Sequence, residues 1–262
     1  MPGGREEVMK FFHILKGIVR GLITGRTFKL FFDWMYPQYM SPIIEGALNA
    51  FHEDDEVVMC VFKFLTEMVF NRNNRLRFDT WSIDGLIVFK ETAKYVIQLL
   101  TIWDCFKNKP IRANAYNEKW CHLKQISHLF SNVLTGSYVN FAICEYYQDT
   151  IFTVICQTYL SSIISCDLNE LRSYAKVDRR VYSTILQMFH NHLVLLFTKF
   201  EPTVIEKILQ VLLFAMTDPI FEVQTDAVAA LNFFNEFVFE KCEMATSPKT
   251  ADLINNVKNF HG

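Results

Sequence analysis

The sequence predicts an all-α protein in which antiparallel helix pairs stack as an α-solenoid. Apolar residues recur every three or four positions through most of the chain, which is the spacing of one helix face. No stretch shows the apolar-polar alternation of a half-buried strand. Glycine (9) and proline (7) are few, which indicates a folded chain poor in linkers.

Length and composition favour a well-packed, folded chain. The 262 residues are 51% hydrophobic and 15% aromatic, enough to bury a substantial core. About five or six helix pairs are expected, close to what repeats of about 40 residues would give. We therefore expect a single solenoid segment over residues 1–262, with the weakest pattern in the tail, 243–262.

Charge and cysteine content narrow the class of protein further. The formal net charge of -2 gives no global field for nucleic acid or an anionic membrane. The seven cysteines are odd in number and contain no CxxC pair, so we expect reduced, mostly buried thiols in an intracellular protein. No apolar run is long enough to predict membrane insertion.

Proline and acidic residues mark helix limits in the first third of the chain. The first helix is expected from about Glu6 to Leu22. Pro37 and Pro42 predict a corner between two shorter helices, because proline removes a backbone donor and clashes with the preceding turn. The acidic run ending at Asp55 predicts an N-cap and an acidic first turn for the helix that follows.

The middle of the chain is predicted to continue in the same way. A polar loop is expected at Lys107–Asn117. Gly136 is expected to cap the C-terminal end of the helix that follows this loop. Between and after these points the periodicity predicts helices at Glu118–Leu134, Thr150–Ser165 and Ser173–Phe200, the last being one helix or two.

The last helix pair has the most diagnostic pattern. Pro202 is expected to open one helix, Thr217–Pro219 to form a tight turn, and Ile220–Glu240 to form the second helix. The small Ala227 and Ala230 on the inner face of the second helix allow close approach of a neighbouring helix. An Asp-Pro turn followed by Val223, Ala227 and the pair Ala230-Leu231 resembles the second half of a HEAT repeat.

The connection between the helices that end near residue 70 and begin near residue 85 is crowded with arginines and aromatic residues. We call residues 71–83 the arginine elbow. We consider five candidate partner-binding residues in and beside it: Arg72, Arg75, Arg77, Trp81 and Lys90. They could dock or stack on an acidic partner surface. Alternatively, the arginines bind the last carbonyls of a helix and pair with Glu67, Asp79 or Asp84.

No catalytic or cofactor motif accompanies this cluster. The sequence has no Gly-rich phosphate loop, nucleophile elbow or HExxH motif. His190 and His192 are two residues apart, so on a helix they point in different directions and cannot share a metal ion. We expect a protein that is not an enzyme and that needs no cofactor or metal.

Five segments resemble one known family, in the family's order. They are DWMYPQYM (33–40), NRNNRLRFD (71–79), GLIVFKET (85–92), LTGSYVNF (134–141) and FEPTVI (200–205). These segments are similar to the Ran-binding exportin subgroup of the importin-β (karyopherin) superfamily, and they match its later HEAT repeats. Several of them are polar elbows rather than helix faces, which makes chance helical similarity a poor explanation.

The resemblance implies nuclear export. Its expected partners are protein cargo, Ran in its GTP form and Phe-Gly nucleoporins, with no nucleic acid and no membrane insertion. The expected localisation is nucleus and cytoplasm, with shuttling through the nuclear pore. The family's main Ran contact lies in earlier repeats, so this chain is expected to be either a segment of a longer protein or a short relative without that contact. A HEAT scaffold or adaptor outside transport, and an enzyme built from dispersed residues, remain the alternatives.

Overall fold

The fold consists of α-helices throughout the part of the chain that the structure, a computed structural model, describes: residues 2–78, 82–106 and 119–244. Twelve α-helices and no strand lie in these ranges. They are α1 (Pro2–Gly21), α2 (Gly25–Met35), α3 (Ser41–Ala50), α4 (Asp55–Val69), α5 (Asp84–Phe106), α6 (Cys121–Thr135), α7 (Ala142–Tyr146), α8 (Ile151–Ile164), α9 (Leu168–Arg172), α10 (Ala175–Lys199), α11 (Pro202–Ala215) and α12 (Phe221–Met244). The all-α prediction is confirmed.

Most predicted helix starts are also confirmed. Asp54 is the N-cap of α4, and its carboxylate accepts hydrogen bonds from the backbone N–H groups of Glu56 (3.1 Å) and Val57 (3.2 Å). Pro202 opens α11, where the missing N–H has no helical acceptor to lose. These starts depend on contacts within a few residues, which a sequence pattern can report.

The predicted corner at Pro37 and Pro42 is wrong. A π-helical segment, Tyr36–Met40, joins α2 directly to α3, and the flanking residues keep right-handed helical backbone angles. The wider i→i+5 turn shifts the hydrogen-bond ladder where proline supplies no donor. The chain can therefore pass both prolines without leaving the helical conformation.

Two other predicted features take a different form. The stretch 173–200 contains one main helix, α10, with a break at His192 (φ −135°). Gly136 does follow α6 as predicted, but its φ is −67°, and Ser137 takes the left-handed angle instead (55°). Glycine is needed at 136 because a Cβ there would overlap the ring of Tyr138. The predicted loop 107–117 and most of the tail lie outside the described residues.

The described chain forms two compact units, divided between Tyr159 and Leu160. In the first unit, α1 and α4 run parallel: Arg5 pairs with Asp54 at their starts (2.5 Å), and Arg75 binds the Val19 carbonyl at their ends (2.5 Å). This is the arrangement of equivalent helices in consecutive helix pairs.

The other helices of the first unit follow the same rule. The run α2–α3 is parallel to α5, because Lys29 pairs with Asp84 (2.6 Å) and Glu45 with Lys94 (2.5 Å). Helices α4 and α6 are also parallel, since His122 lies 3.5 Å from Asp55 at their starts and Asn71 binds the Gly136 carbonyl after their ends. Parallel alternate helices are what stacked helix pairs require.

In the second unit, α10 and α12 are parallel neighbours. Arg179 lies 3.5 Å from Glu222 near their starts. The ring of Phe197, near the end of α10, stacks on that of Phe234 in the second half of α12 (5.3 Å between ring centres). Between α11 and α12, Asp218 provides the predicted tight turn and accepts a hydrogen bond from the Ile220 N–H (2.9 Å).

The described residues hold neither a disulfide nor a cluster of metal-binding side chains. Five cysteines in this part of the chain form no disulfide, and Cys60, Cys144 and Cys156 are buried, as predicted for thiols in a core. No three His, Cys, Asp or Glu side chains among the described residues are grouped for a metal ion. None of the described helices combines the length and the apolarity needed to cross a bilayer.

Candidate partner-binding site at the arginine elbow

The arginine elbow begins with a chain reversal made by two asparagines. A 3-10 turn, Arg72–Asn74, follows α4, and Asn73 (φ 53°) and Asn74 (φ 54°) both take left-handed backbone angles. Asparagine tolerates this conformation better than most residues with a side chain. The reversal turns Arg75 back towards the helices that precede it.

Arg75 is fully buried at the centre of the elbow. Its guanidinium donates hydrogen bonds to the carbonyls of Val19 (2.5 Å) and Leu22 (3.2 Å) at the end of α1. It also donates to the carbonyls of Phe70 (3.1 Å) and Glu67 at the end of α4. A single cation therefore binds carbonyls at two helix C-termini, where the regular i→i+4 donors of the helix run out.

The surroundings of Arg75 match its charge. The Glu67 carboxylate lies 3.6 Å away, and the Phe28 ring lies 5.5 Å from the guanidinium carbon. Burial lowers the pKa of Arg75 from its ordinary value, and the nearby Glu67 carboxylate opposes that effect. These contacts correspond to the alternative interpretation, in which the arginine binds helix-end carbonyls, and they give Arg75 a structural role.

Asn71 is a second organising residue, and the sequence analysis did not single it out. Its Nδ2 donates to the Gly136 carbonyl (2.6 Å), and its Oδ1 accepts from the Leu76 N–H (2.7 Å). Asn71 therefore fixes the loop after Arg75 and joins the elbow to the end of α6. The sequence does show that Asn71 follows directly after a helix end. It does not show that its partner, Gly136, lies 65 residues further along the chain.

The remaining candidates are placed differently from one another. Arg72 is half-buried, 3.3 Å from Glu67, and its guanidinium lies 5.2 Å from the Phe70 ring centre. Arg77 is exposed and lies beside Gly25 at the start of α2. Trp81 falls outside the described residues.

Lys90 lies on α5 and has a partner of its own. Its ammonium group pairs with the Asp149 carboxylate (2.5 Å), which also accepts a hydrogen bond from the Ile151 N–H at the start of α8. The hydrogen bond to Asp149 raises the pKa of Lys90. This pair connects α5 to the residues just before α8.

The predicted acidic partners of the arginines are only partly in place. Glu67 contacts Arg72 and Arg75, as the alternative interpretation expects. Asp84 instead pairs with Lys29 on α2 (2.6 Å), so its predicted pairing with an elbow arginine is not what the described residues show. Asp79 lies outside the described residues.

The two histidines considered as metal ligands lie elsewhere and apart. The His190 ring packs on Phe233 (4.6 Å between ring centres). Burial lowers the pKa of His192, at the break in α10, to about 4. The chemistry available at the described part of the elbow is ion pairing, hydrogen bonding and stacking, which is binding chemistry.

Comparison with known proteins gives a consistent set of relatives. The chain is 30% identical over 234 residues to Exportin-7-B of Xenopus laevis, covering 87% of this chain and 21% of the relative. It is 30% identical to Exportin-7 of Dictyostelium discoideum (70% of this chain, 18% of the relative) and 27% identical to Ran-binding protein 17 of mouse (86% and 20%). No family model and no solved structure matches the chain.

The parallel alternate helices and the binding chemistry of the elbow define an α-helical repeat protein of the solenoid class. Within that class, the chain is related to the exportin-7 subgroup of the importin-β superfamily, which confirms the resemblance found in the five segments. The chain spans about a fifth of the length of the curated relatives it matches.

Proposed function

We propose that this chain is a repeat segment of an exportin-like nuclear transport receptor. In this role it contributes to binding protein cargo and acts with Ran in its GTP form during nuclear export. The observation that carries the proposal is the similarity to two Exportin-7 proteins and a Ran-binding protein over most of the chain. The receptor is proposed to shuttle between nucleus and cytoplasm and to contact Phe-Gly nucleoporins.

The packing supports a binding role of this kind. Helices α1, α4 and α6 are parallel neighbours tied by contacts at their ends. In such a stack each helix pair contacts mainly its neighbours, so small rotations between pairs add up to a change in curvature. Cargo and Ran-GTP that favour the same curvature would each raise the other's affinity by an equal factor.

The proposal treats residues 1–262 as one solenoid segment that corresponds to later repeats of the receptor. The main Ran contact is then supplied by repeats outside this sequence. A binding measurement on the chain by itself therefore tests only whether these repeats carry a Ran contact of their own. The transport role has to be tested inside a longer receptor.

A chimera provides that test. The region of Xenopus laevis Exportin-7-B that aligns with this chain is replaced by the chain, and cargo binding is measured with Ran loaded with a GTP analogue or with GDP. We expect the chimera to bind cargo more tightly with the GTP form, as the parent receptor should. A control chimera carries a HEAT segment of equal length from an unrelated scaffold.

Two outcomes would count against the proposal. One is a chimera with a cooperative helical melt and no nucleotide preference. The other is a control chimera that performs equally well, which would mean that any HEAT segment suffices. Either result would favour the alternative of a HEAT scaffold or adaptor outside transport.

A further inference from the structure

We infer that Arg20, Arg26 and Arg77 form a binding surface for an acidic segment of a partner protein. The surface combines one residue of the arginine elbow with residues from the end of α1 and the start of α2. The inference deepens the proposed function and rests on it for the class of partner, a protein. Its test does not involve Ran, so the two can fail separately.

The first step is that Arg75 brings these three elements together. Its guanidinium binds the carbonyls of Val19 and Leu22, which flank Arg20 and close the end of α1. Its own carbonyl lies against Gly25, the first residue of α2. The buried arginine therefore fixes the chain positions from which the exposed arginines extend.

The second step is proximity at the surface. The Cβ of Arg77 lies 3.7 Å from where a Cβ on Gly25 would be, and Arg26 is the next residue. Arg20 lies in the last turn of α1, and only a short connection separates that turn from α2. All three side chains are exposed.

The third step is that these charges lack partners within the described residues. Neither an ion pair nor a side-chain hydrogen bond to Arg20, Arg26 or Arg77 occurs in the described ranges. By contrast, the neighbouring cations Lys29 and Arg72 each bind a carboxylate of this chain. The described carboxylates Glu67 and Asp84 are thus already bound to other cations, and none of the three arginines pairs with a carboxylate among the described residues.

The position of Arg26 strengthens this reading. It lies in the first turn of α2, which contains no acidic residue. A cation at a helix N-terminus is unfavourable because the end of the helix dipole is positive there. A carboxylate from a partner would interact favourably with both the arginine and the helix end.

Apolar residues at the same surface favour a peptide over nucleic acid. Ile23, between α1 and α2, is 56% exposed, and Leu30 on α2 is 63% exposed. Phe70, beside Arg72, is also exposed. Aliphatic side chains next to arginines suit an acidic segment that carries leucine or a similar residue, whereas phosphate backbones need only the charges.

The test is binding of a fluorescein-labelled peptide made of Glu and Asp with two leucines, followed by anisotropy at low and physiological salt. The probe is titrated with the full chain and with the triple variant R20E/R26E/R77E. A matched control, K10E/K176E/K207E, reverses three other exposed cations and gives the same net charge. A single-stranded oligonucleotide and a peptide with Lys in place of the acids serve as comparison probes.

We expect the R20E/R26E/R77E variant to lose at least about tenfold in affinity for the acidic peptide. The control variant should stay within about twofold of the original chain. Binding should weaken as salt is raised. Circular dichroism melts of both variants check that the helices are retained, and R77E alone, at an exposed loop position, provides a milder variant if the triple one unfolds.

Three results would overturn the inference. The first is no binding of the acidic peptide to the folded original chain. The second is an equal loss in the two triple variants, which would indicate non-specific attraction. The third is tighter binding of the oligonucleotide than of the acidic peptide, which would assign the surface to nucleic acid.

Discussion

Two regions of the molecule use an arginine to close helix ends, and they differ in what surrounds the cation. In the arginine elbow, Arg75 is buried and donates mainly to backbone carbonyls. In the second unit, Arg172 donates to the Phe214 carbonyl (2.8 Å) and to the Asp218 carboxylate (2.8 Å). We call Arg172, Asp178 and Asp218 the carboxyl cluster.

The carboxyl cluster contains two aspartates and only one arginine. Asp218 is buried, binds Arg172 and also accepts the Ile220 N–H at the start of α12. Asp178, also buried, lies near Asp218, and its Oδ2 has no hydrogen bond to a described group. Burial and the neighbouring Asp218 carboxylate raise the pKa of Asp178 to about 7, with Arg172 opposing them.

The difference teaches which of the two regions responds to pH. Backbone carbonyls do not titrate, so the bonds of Arg75 persist over the whole pH range in which the protein folds. The carboxyl cluster holds two buried acids against one cation, so one acid is favoured in its protonated form. Four predictions test this contrast, in order of decreasing effect.

Arg75→Ala should cause the largest loss. Its removal takes a hydrogen-bond donor from the carbonyls of Val19, Leu22 and Phe70 and opens a cavity at a fully buried position, at an expected cost of about 3 to 5 kcal/mol in the free energy of unfolding. Urea denaturation followed by circular dichroism measures it. Arg75→Lys should recover little, because an ammonium group cannot reproduce the planar fork. A loss below about 1 kcal/mol would contradict the structural role.

Asp218→Ala should come second. The variant removes the acceptor of the Ile220 N–H just before α12 and leaves Arg172 without its carboxylate, for an expected loss of about 2 to 3 kcal/mol. Asp218→Asn keeps an oxygen that can accept the Ile220 N–H and should lose less. If the two variants were equally destabilised, the hydrogen bond from Ile220 would contribute nothing and the ion pair with Arg172 would account for the whole effect.

Asp178→Asn should change the pH dependence of stability. The folded pKa is raised above the unfolded value, so stabilisation by the protonated acid is complete below about pH 4 and is lost as the pH rises to about 7. The variant should therefore gain about 2 kcal/mol relative to the original chain as the pH rises from 5 to 7. Urea midpoints at several pH values measure this difference.

The matched control for that experiment is Glu206→Gln, an exposed carboxylate on α11. It should follow the original chain at every pH. A difference between Asp178→Asn and the original chain that stayed constant with pH would show that Asp178 does not titrate in this range.

Arg77→Ala should have the smallest effect on stability. The side chain is exposed and has no described partner, so the expected change is within about 0.5 kcal/mol. The same thermal or urea melt that detects Arg75→Ala measures it. A loss of stability close to that of Arg75→Ala would contradict the distinction between a structural arginine and an exposed arginine that contributes little to stability.

The sequence could predict the helices but only part of the candidate site. Asp54 and Pro202 act on backbone groups within a few residues, so the local sequence was sufficient to predict the starts of α4 and α11. The corner predicted at Pro37 is wrong, because the π-helical segment that accommodates this proline depends on the geometry of the whole helix. Three arginines of the elbow looked alike in the sequence, yet one is buried, one half-buried and one exposed.

The sequence by itself determined the all-α class, most helix limits and the resemblance to the exportin subgroup. Periodicity, helix caps and motifs each depend on residues that are close together in the chain. Only the tertiary structure decided that Arg75 binds the carbonyls at the end of α1, that Asn71 binds Gly136, and that Arg77 lies beside the start of α2. The physical reason is that burial and hydrogen-bond partners come from residues about 50 to 65 positions away, and folding alone brings those together.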